Sequence, residues 1–297
     1  MTECDSGEKG CCCDLFIMVE CYIQISGLKM LKYIYRYKYL SNGKGLRSLL
    51  QNRDVKFTHP KDFNDPFDCF PAVVHRDFTD LKTKNPYVYK ALGLDLLKGA
   101  QRIKALAKMQ NRMKANIDSG DFLQGLLAEA SVLSLAKMPD SILMWSHYAQ
   151  YHQGAVVEFK IPINTPRFFN GEYSYADLIP LNVRYEKDRP IVVMDGSTTD
   201  RDLILDQLFL TKSEVWQYEQ ESRVIKNEGG HGVFPFQQEL LNAVILGARN
   251  ETADEIKKLA QVAGHELGKT IPVFQAVFCK KTYKVKIPKF KFKTDER

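Results

Sequence analysis

Two glutamates and an arginine at alternate positions, Glu219, Glu221 and Arg223, carry the densest chemistry in this sequence. A strand reading from Tyr218 onward puts them on one face with Ile225, because side chains alternate with period two. Burying unpaired charge is very costly. Such a face therefore meets water, with glutamate and arginine cross-pairing, or it lines a polar cleft. Trp216 and Tyr218 beside the carboxylates are the residue types of a partly enclosed wall, which favours a site.

Three further stretches hold reactive side-chain types. Leu31 to Leu40 alternates Tyr33, Tyr35, Tyr37 and Tyr39 with Lys32, Ile34, Arg36 and Lys38, an aromatic period of two that predicts a strand. His59 to Asp68 sets Asp62, Asp65 and Asp68 among prolines. Asp65 precedes Pro66 and is biased away from helix, and Asn64 and Asp65 can bond their own backbone in turns. These aspartates read as turn residues or, with Glu219, as a divalent-metal set for a nuclease if the fold makes them converge. Pro139 to Gly154 is the clearest helix, with Asp140 or Ser141 as N-cap and Gly154 at a left-handed C′ position. It carries Trp145, His147, Tyr148 and His152. The two histidines are five positions apart, the wrong spacing for one helical face, so no zinc is assigned there.

The elements that must position these groups form an α+β pattern. A short helix over Leu46 to Gln51 and a strand at Val55 to Phe57 follow the tyrosine strand. Residues 80 to about 130 predict a helical insert, with Leu94, Leu97, Ile103, Leu106 and Met109 in helix-like periods. Strands are predicted at Val132 to Leu135, Ala155 to Phe159, Asn182 to Tyr185, Pro190 to Met194 and Leu240 to Leu246. Helices are predicted over Asp200 to Phe209 and from a capping box at Thr252 to about Leu267. Pro272 to Cys279 and Thr282 to Ile287 close the chain as strands. The expected architecture is a mixed, mainly antiparallel sheet with flanking helices and the helical insert. No repeat or Pro/Gly/Ser-rich linker divides it, so residues 30–297 are expected to form one domain.

Composition narrows the class. Of 297 residues 44% are hydrophobic and 26% charged, with 17 Phe and 14 Tyr, ample material for a globular core. Five of the seven cysteines precede residue 22, so the body has no disulfide framework and a reducing, cytoplasmic compartment is expected. No stretch reaches the roughly 18 apolar residues of a membrane span, and no membrane partner is expected. Residues 1–29 read as a non-core leader, with Met30 as an alternative start. The net charge of +6 is concentrated toward Lys280 to Lys293. That run is either a lysine-protected edge strand or a contact for an anionic partner, nucleic acid included.

The motifs Tyr35-Arg-Tyr-Lys-Tyr39, Phe63-Asn-Asp-Pro-Phe-Asp68, Met144-Trp-Ser-His-Tyr-Ala149, Tyr218-Glu-Gln-Glu-Ser-Arg223 and Ile245-Leu-Gly247 stand in this order. His152, Gly154, Lys212 and Trp216 complete the set. Together they resemble the domain-of-unknown-function family 2971, found in bacteria and often near phage-defence and mobile elements. In the family pattern a bulky aromatic often precedes the last arginine, where this chain has Ser222.

The order of an early basic strand residue, mid-chain aromatic and hydroxyl residues and a late Glu-x-Glu is also similar to ADP-ribosyltransferase toxins. That likeness implies an NAD-using enzyme, a phage-defence or toxin effector with a macromolecular acceptor. Glu221 would stabilise the oxocarbenium-like centre as the glycosidic bond loosens, and Glu219 would orient the acceptor. Arg36 would hold NAD by charge-assisted hydrogen bonds, with Arg223 and His147 beside it and Tyr148 and Trp145 as the wall. The alternatives are a non-catalytic binding or sensor module for protein or nucleic acid, working through Lys280 to Lys293, and the metal-dependent nuclease.

Overall fold

The computed structural model describes residues 32–76, 80–163, 165–169, 171–194, 204–293 and 295. The leader, Met30, the first five cysteines and the start of the helix expected over Asp200 to Phe209 lie outside these. A seven-stranded sheet is built from β1 (Tyr33–Leu40), β2 (Ser131–Ala136), β3 (Ala155–Pro162), β4 (Leu181–Asn182), β5 (Glu221–Lys226), β6 (Leu241–Leu246) and β7 (Val273–Gln275), in the order β7-β6-β3-β1-β2-β5-β4. Only the β6–β7 pair is parallel; the other neighbours run antiparallel. This is the mixed, mainly antiparallel sheet of an α+β fold.

The central strands are buried on both faces, which is why β3 and β6 read as near-continuous apolar runs rather than alternating ones. One face meets the larger core, where α1 (Lys44–Asn52) contributes Leu46, Leu49 and Leu50. A helix over Ala253–Glu266 adds Ile256, Ala260 and Ala263 to the same core. The other face packs Tyr37, Tyr39, Val156 and Ile245 around Trp145 and Met144. The insert forms helices Leu81–Lys84, Pro86–Ala91, Gly99–Asp118 and Asp121–Leu127 around a small cluster of Leu81, Tyr89 and Leu94. Its long helix has no fully buried residue, so it covers the domain's side without entering the core.

One register feature makes room for a site. β1 lies along β3 over eight residue pairs but meets β2 at a single pair, Tyr37 with Ala136. The side chain of Lys38 reaches across and donates to the Ser134 carbonyl at 2.9 Å.

Several local expectations are corrected. The late strand begins at Glu221, not Tyr218. Residues Glu214–Glu219 form a 3-10 turn closed by Gln220 in the left-handed region at φ 44°. The helix expected to run toward Gly154 ends at Tyr148, as α2 (Ile142–Tyr148), capped by Ser141 through the Met144 amide. Gln150, Tyr151 and His152 then take positive φ values and turn the chain into β3. Gly154 is not the left-handed residue of this turn. A side-chain carbon there would run into the Leu40 carbonyl oxygen, and one at Gly247 would run into that of His152. Backbone hydrogen bonds from Gly247 to Gly154 and from Arg249 to His152 hold that approach. Thr252 makes no side-chain cap; Asn250 instead accepts from the Thr252 amide at 3.0 Å. Of the strand expected over Pro272 to Cys279, Val273–Gln275 joins the sheet as β7 and Val277–Phe278 pairs with Val285–Lys286, with the lysines of 280–293 exposed around them.

Candidate functional site

Five charged side chains from four separate segments meet under one cleft. Glu221 and Arg223 come from β5, where the alternation puts both on one face. Lys212 comes from a short strand, Thr211–Ser213, paired in parallel with Arg184–Glu186. Glu219 sits at the end of the 3-10 turn, brought alongside by the reversal at Gln220. Asp68 comes from the proline-bounded loop, where Asp65 accepts from the Phe67 amide at 2.9 Å and folds the chain so that Asp68 points inward. All five are buried; Arg223 has no exposed surface at all.

Burial at this depth is tolerated because each charge has opposite partners. Arg223 grips Glu221 with Nε to Oε1 at 2.8 Å and Nη2 to Oε2 at 2.9 Å, while Nη2 also reaches Asp68 Oδ2 at 2.6 Å. Its Nη1 donates to the Phe209 carbonyl at 2.7 Å. Lys212 Nζ lies 2.6 Å from Glu219, 3.2 Å from Glu221 and 3.3 Å from Asp68. Three carboxylates thus share two cations. The Tyr148 hydroxyl donates to the other oxygen of Glu219 at 2.6 Å, and Asn64 Nδ2 donates to that hydroxyl at 3.3 Å. The Glu221 amide donates to Tyr185 Oη at 2.7 Å.

The two glutamates are driven apart electrostatically. Burial alone would raise Glu221, but the Arg223 and Lys212 charges outweigh it and hold its carboxyl down to about 2. Glu219 moves up, because burial and the Glu221 charge prevail over the pull of Lys212. Opposed shifts in adjacent carboxylates are typical of sites where the two take different chemical roles. Across the cleft, burial pulls the Lys38 ammonium down to about 8, against the Glu221 charge.

The cleft above this floor has a volume of about 570 Å³, within the range of small-ligand sites. Half-buried Phe63, Tyr148, Trp216 and Tyr218 and the exposed His147 supply its aromatic walls, and Lys38 and Ser134 its back. The His147 and Tyr218 rings stand 6.2 Å apart, and those of Trp216 and Tyr218 6.0 Å apart.

Residues 144–224 match the model of a family described as protein of unknown function (DUF2971). The match covers about a quarter of the chain, so the similarity is that of this segment. No curated protein and no solved structure matches the chain. The matched segment supplies Tyr148, Lys212, Glu219, Glu221 and Arg223, which is most of the floor and one wall. Asp68, Lys38 and Phe63 reach the same cleft from the preceding part of the chain.

Of the residues singled out by sequence, the structure brings Glu219, Glu221, His147 and Tyr148 to the cleft, with Arg223 directly beneath. Arg36 is not brought there. It is 2% exposed, and its guanidinium is taken up by Ser222 at 3.0 Å, the Tyr35 carbonyl at 2.7 Å and Asp295 at 2.8 Å. Trp145 is also elsewhere: fully buried, it packs edge-on to Tyr39, stacks with His152 and donates to the Pro139 carbonyl at 2.8 Å. The aspartates considered as metal ligands do not converge as a set. Asp68 joins the ion network, Asp62 lines the cleft and Asp65 caps its own loop. Among the described residues no group of three or more His, Cys, Asp or Glu is arranged to hold a metal ion.

The sequence reading missed the roles of Lys212 and Asp68. The signal was present in composition: three carboxylates in the region of one buried arginine require a second cation. The nearest lysine before Trp216 is Lys212.

Proposed function

We propose that the chain is a glycosyl-transferring enzyme that breaks the nicotinamide–ribose bond of NAD, with a macromolecular acceptor. The observation that supports this reading is the Glu219 carboxylate. Fixed by Tyr148 and Lys212, it borders a cleft walled by aromatic rings on which nicotinamide can stack. As the bond breaks, its electron pair leaves with the nicotinamide nitrogen and positive charge develops at the ribose carbon. A preorganised carboxylate favours that charge more than it favours the ground state. The acceptor then adds to the same carbon and loses its proton to a base.

The roles of the glutamates differ from the expectation. Glu221 has both oxygens held by Arg223 and one of them also by Lys212. It is better suited to anchoring the network, and Glu219 to meeting the ribose. With labelled NAD, nicotinamide release should fall by about a hundredfold or more in Glu219→Gln. Release at the wild-type rate from that variant would sink the assignment.

A nucleic-acid acceptor is favoured by a separate observation: Lys280, Lys281, Lys284, Lys286, Lys289, Lys291 and Lys293 are all exposed, with Tyr283 standing free among them at 99% exposure. Phosphate contacts through these lysines predict retention on single-stranded nucleic acid that falls steeply between about 50 and 200 mM salt. Retention unaffected by salt would point to a protein acceptor.

A further inference from the structure

The long helix of the insert, Gly99–Asp118, is two-sided. Ala105, Leu106, Met109 and Met113 turn toward the small core of Leu81, Tyr89 and Leu94. The opposite side carries Lys104, Lys108 and Arg112, all exposed, at intervals of four residues. Residues four apart stand one above another on a helix, about 6 Å along its axis, so the three cations form a row roughly 12 Å long. Lys114 is exposed at the margin of the same side. Five residues of this helix are basic and one is acidic, Asp118 at its last position. None of Lys104, Lys108, Arg112 and Lys114 forms an ion pair or side-chain hydrogen bond with another described residue. Opposite charges at i,i+4 stabilise an exposed helix and like charges there destabilise it. This row has the unfavourable pairing twice, Lys104 with Lys108 and Lys108 with Arg112, and no described carboxylate relieves it.

We propose that this face docks on the phosphate backbone of a nucleic-acid duplex. A polyanion removes the repulsion along the row, and each cation that neutralises a phosphate releases counterions. A duplex presents one negative charge per about 1.7 Å of its length, so a row of this length meets phosphates whatever the base sequence. The apolar stripe that an amphipathic helix lays into a lipid surface is already packed on the insert's own core, which argues against a membrane as the occupant. The helix has no aromatic residue on which an unpaired base could stack, which argues for a duplex over a single strand. The contact is separate from the one through Lys280 to Lys293, where Tyr283 stands among the lysines, and it holds whether or not the cleft is catalytic.

The test is fluorescence anisotropy of a labelled DNA duplex of arbitrary sequence with the full chain, between about 50 and 200 mM salt. In the combined variant Lys104→Gln, Lys108→Gln, Arg112→Gln, affinity at the low end should fall about tenfold or more, and the slope of log affinity against log salt should flatten by about 2–3. This variant should melt no lower than the wild type, because removing like charges at this spacing favours the helix, so its loss of binding reads the surface and not the fold. A tail variant, Lys280→Gln, Lys281→Gln, Lys284→Gln, Lys286→Gln, separates the two surfaces. Loss of duplex binding in the tail variant alone, with the insert variant binding as wild type, overturns the proposal and leaves the tail as the nucleic-acid contact. Absence of duplex binding by the wild type also overturns it, as does binding to phosphatidylserine vesicles in its place that the insert variant loses. Nicotinamide release from NAD is measured separately, and its outcome decides the enzyme reading without touching this one.

Discussion

Two arginines on neighbouring parts of one sheet are buried almost equally, yet only one of them lies under the cleft. Arg36 on β1 is 2% exposed and Arg223 on β5 has no exposure. Arg223 faces two buried carboxylates, Glu221 and Asp68, beside Lys212 and under a cleft. Arg36 meets neutral Ser222 and Asn182 and a single carboxylate, Asp295, which remains 32% exposed. The difference shows that burial of a cation is not itself a mark of function. What distinguishes the Arg223 cluster is an excess of carboxylates lining a cavity.

The largest effect that would break this comparison is on stability. Arg223→Met should cost about 3–5 kcal/mol, because it strands Glu221 and Asp68 in the core without their cation. Urea denaturation measures this directly, and a loss below about 1 kcal/mol would mean that Lys212 alone can neutralise the floor. The acid limb comes next. A carboxylate held below its unfolded value stabilises the fold above that value, and the contribution is lost as pH falls toward the folded one. For Glu221 the window runs from about 4.5 down to about 2, worth on the order of 3 kcal/mol. Glu219, shifted upward, acts in the opposite sense, so denaturation between pH 5 and pH 2 should show a net loss smaller than Glu221 alone would give. A flat profile would mean that Glu221 is not held ionised by its partners. The smallest effect is at the other arginine. Asp295→Asn should cost less than about 1 kcal/mol, since its carboxylate is partly hydrated and its loss leaves Arg36 with three uncharged acceptors. A cost equal to that of Arg223→Met would erase the distinction between the two clusters.

Local pattern carried much of the fold. The tyrosine alternation of residues 33–39, the helical insert and the apolar runs of β3 and β6 were legible because periodicity reflects which side chains are buried. Boundaries around the site were less legible. Gln220 takes a left-handed backbone that its residue type does not announce, so the strand appeared to begin at Tyr218 and Glu219 appeared to share a face with Glu221. The early end of α2 has a similar cause: three successive positive-φ residues turn the chain toward the close approach of His152 to Gly247 and of Gly154 to the Leu40 carbonyl. Arg36 drew attention as a basic residue on an early strand, but Asp295, 259 positions away, had already claimed it.

By itself the sequence determined the class of fold, the strand that bears Glu221 and Arg223, and the aromatic helix end that bears Tyr148, since each follows from short-range spacing. Only the tertiary structure decided that Asp68 and Lys212 complete the ion network and that Glu219 is the carboxylate held by Tyr148 at the cleft. Those pairings depend on how charges from distant segments neutralise one another in a dry interior, and no local pattern records which partner each buried charge will find.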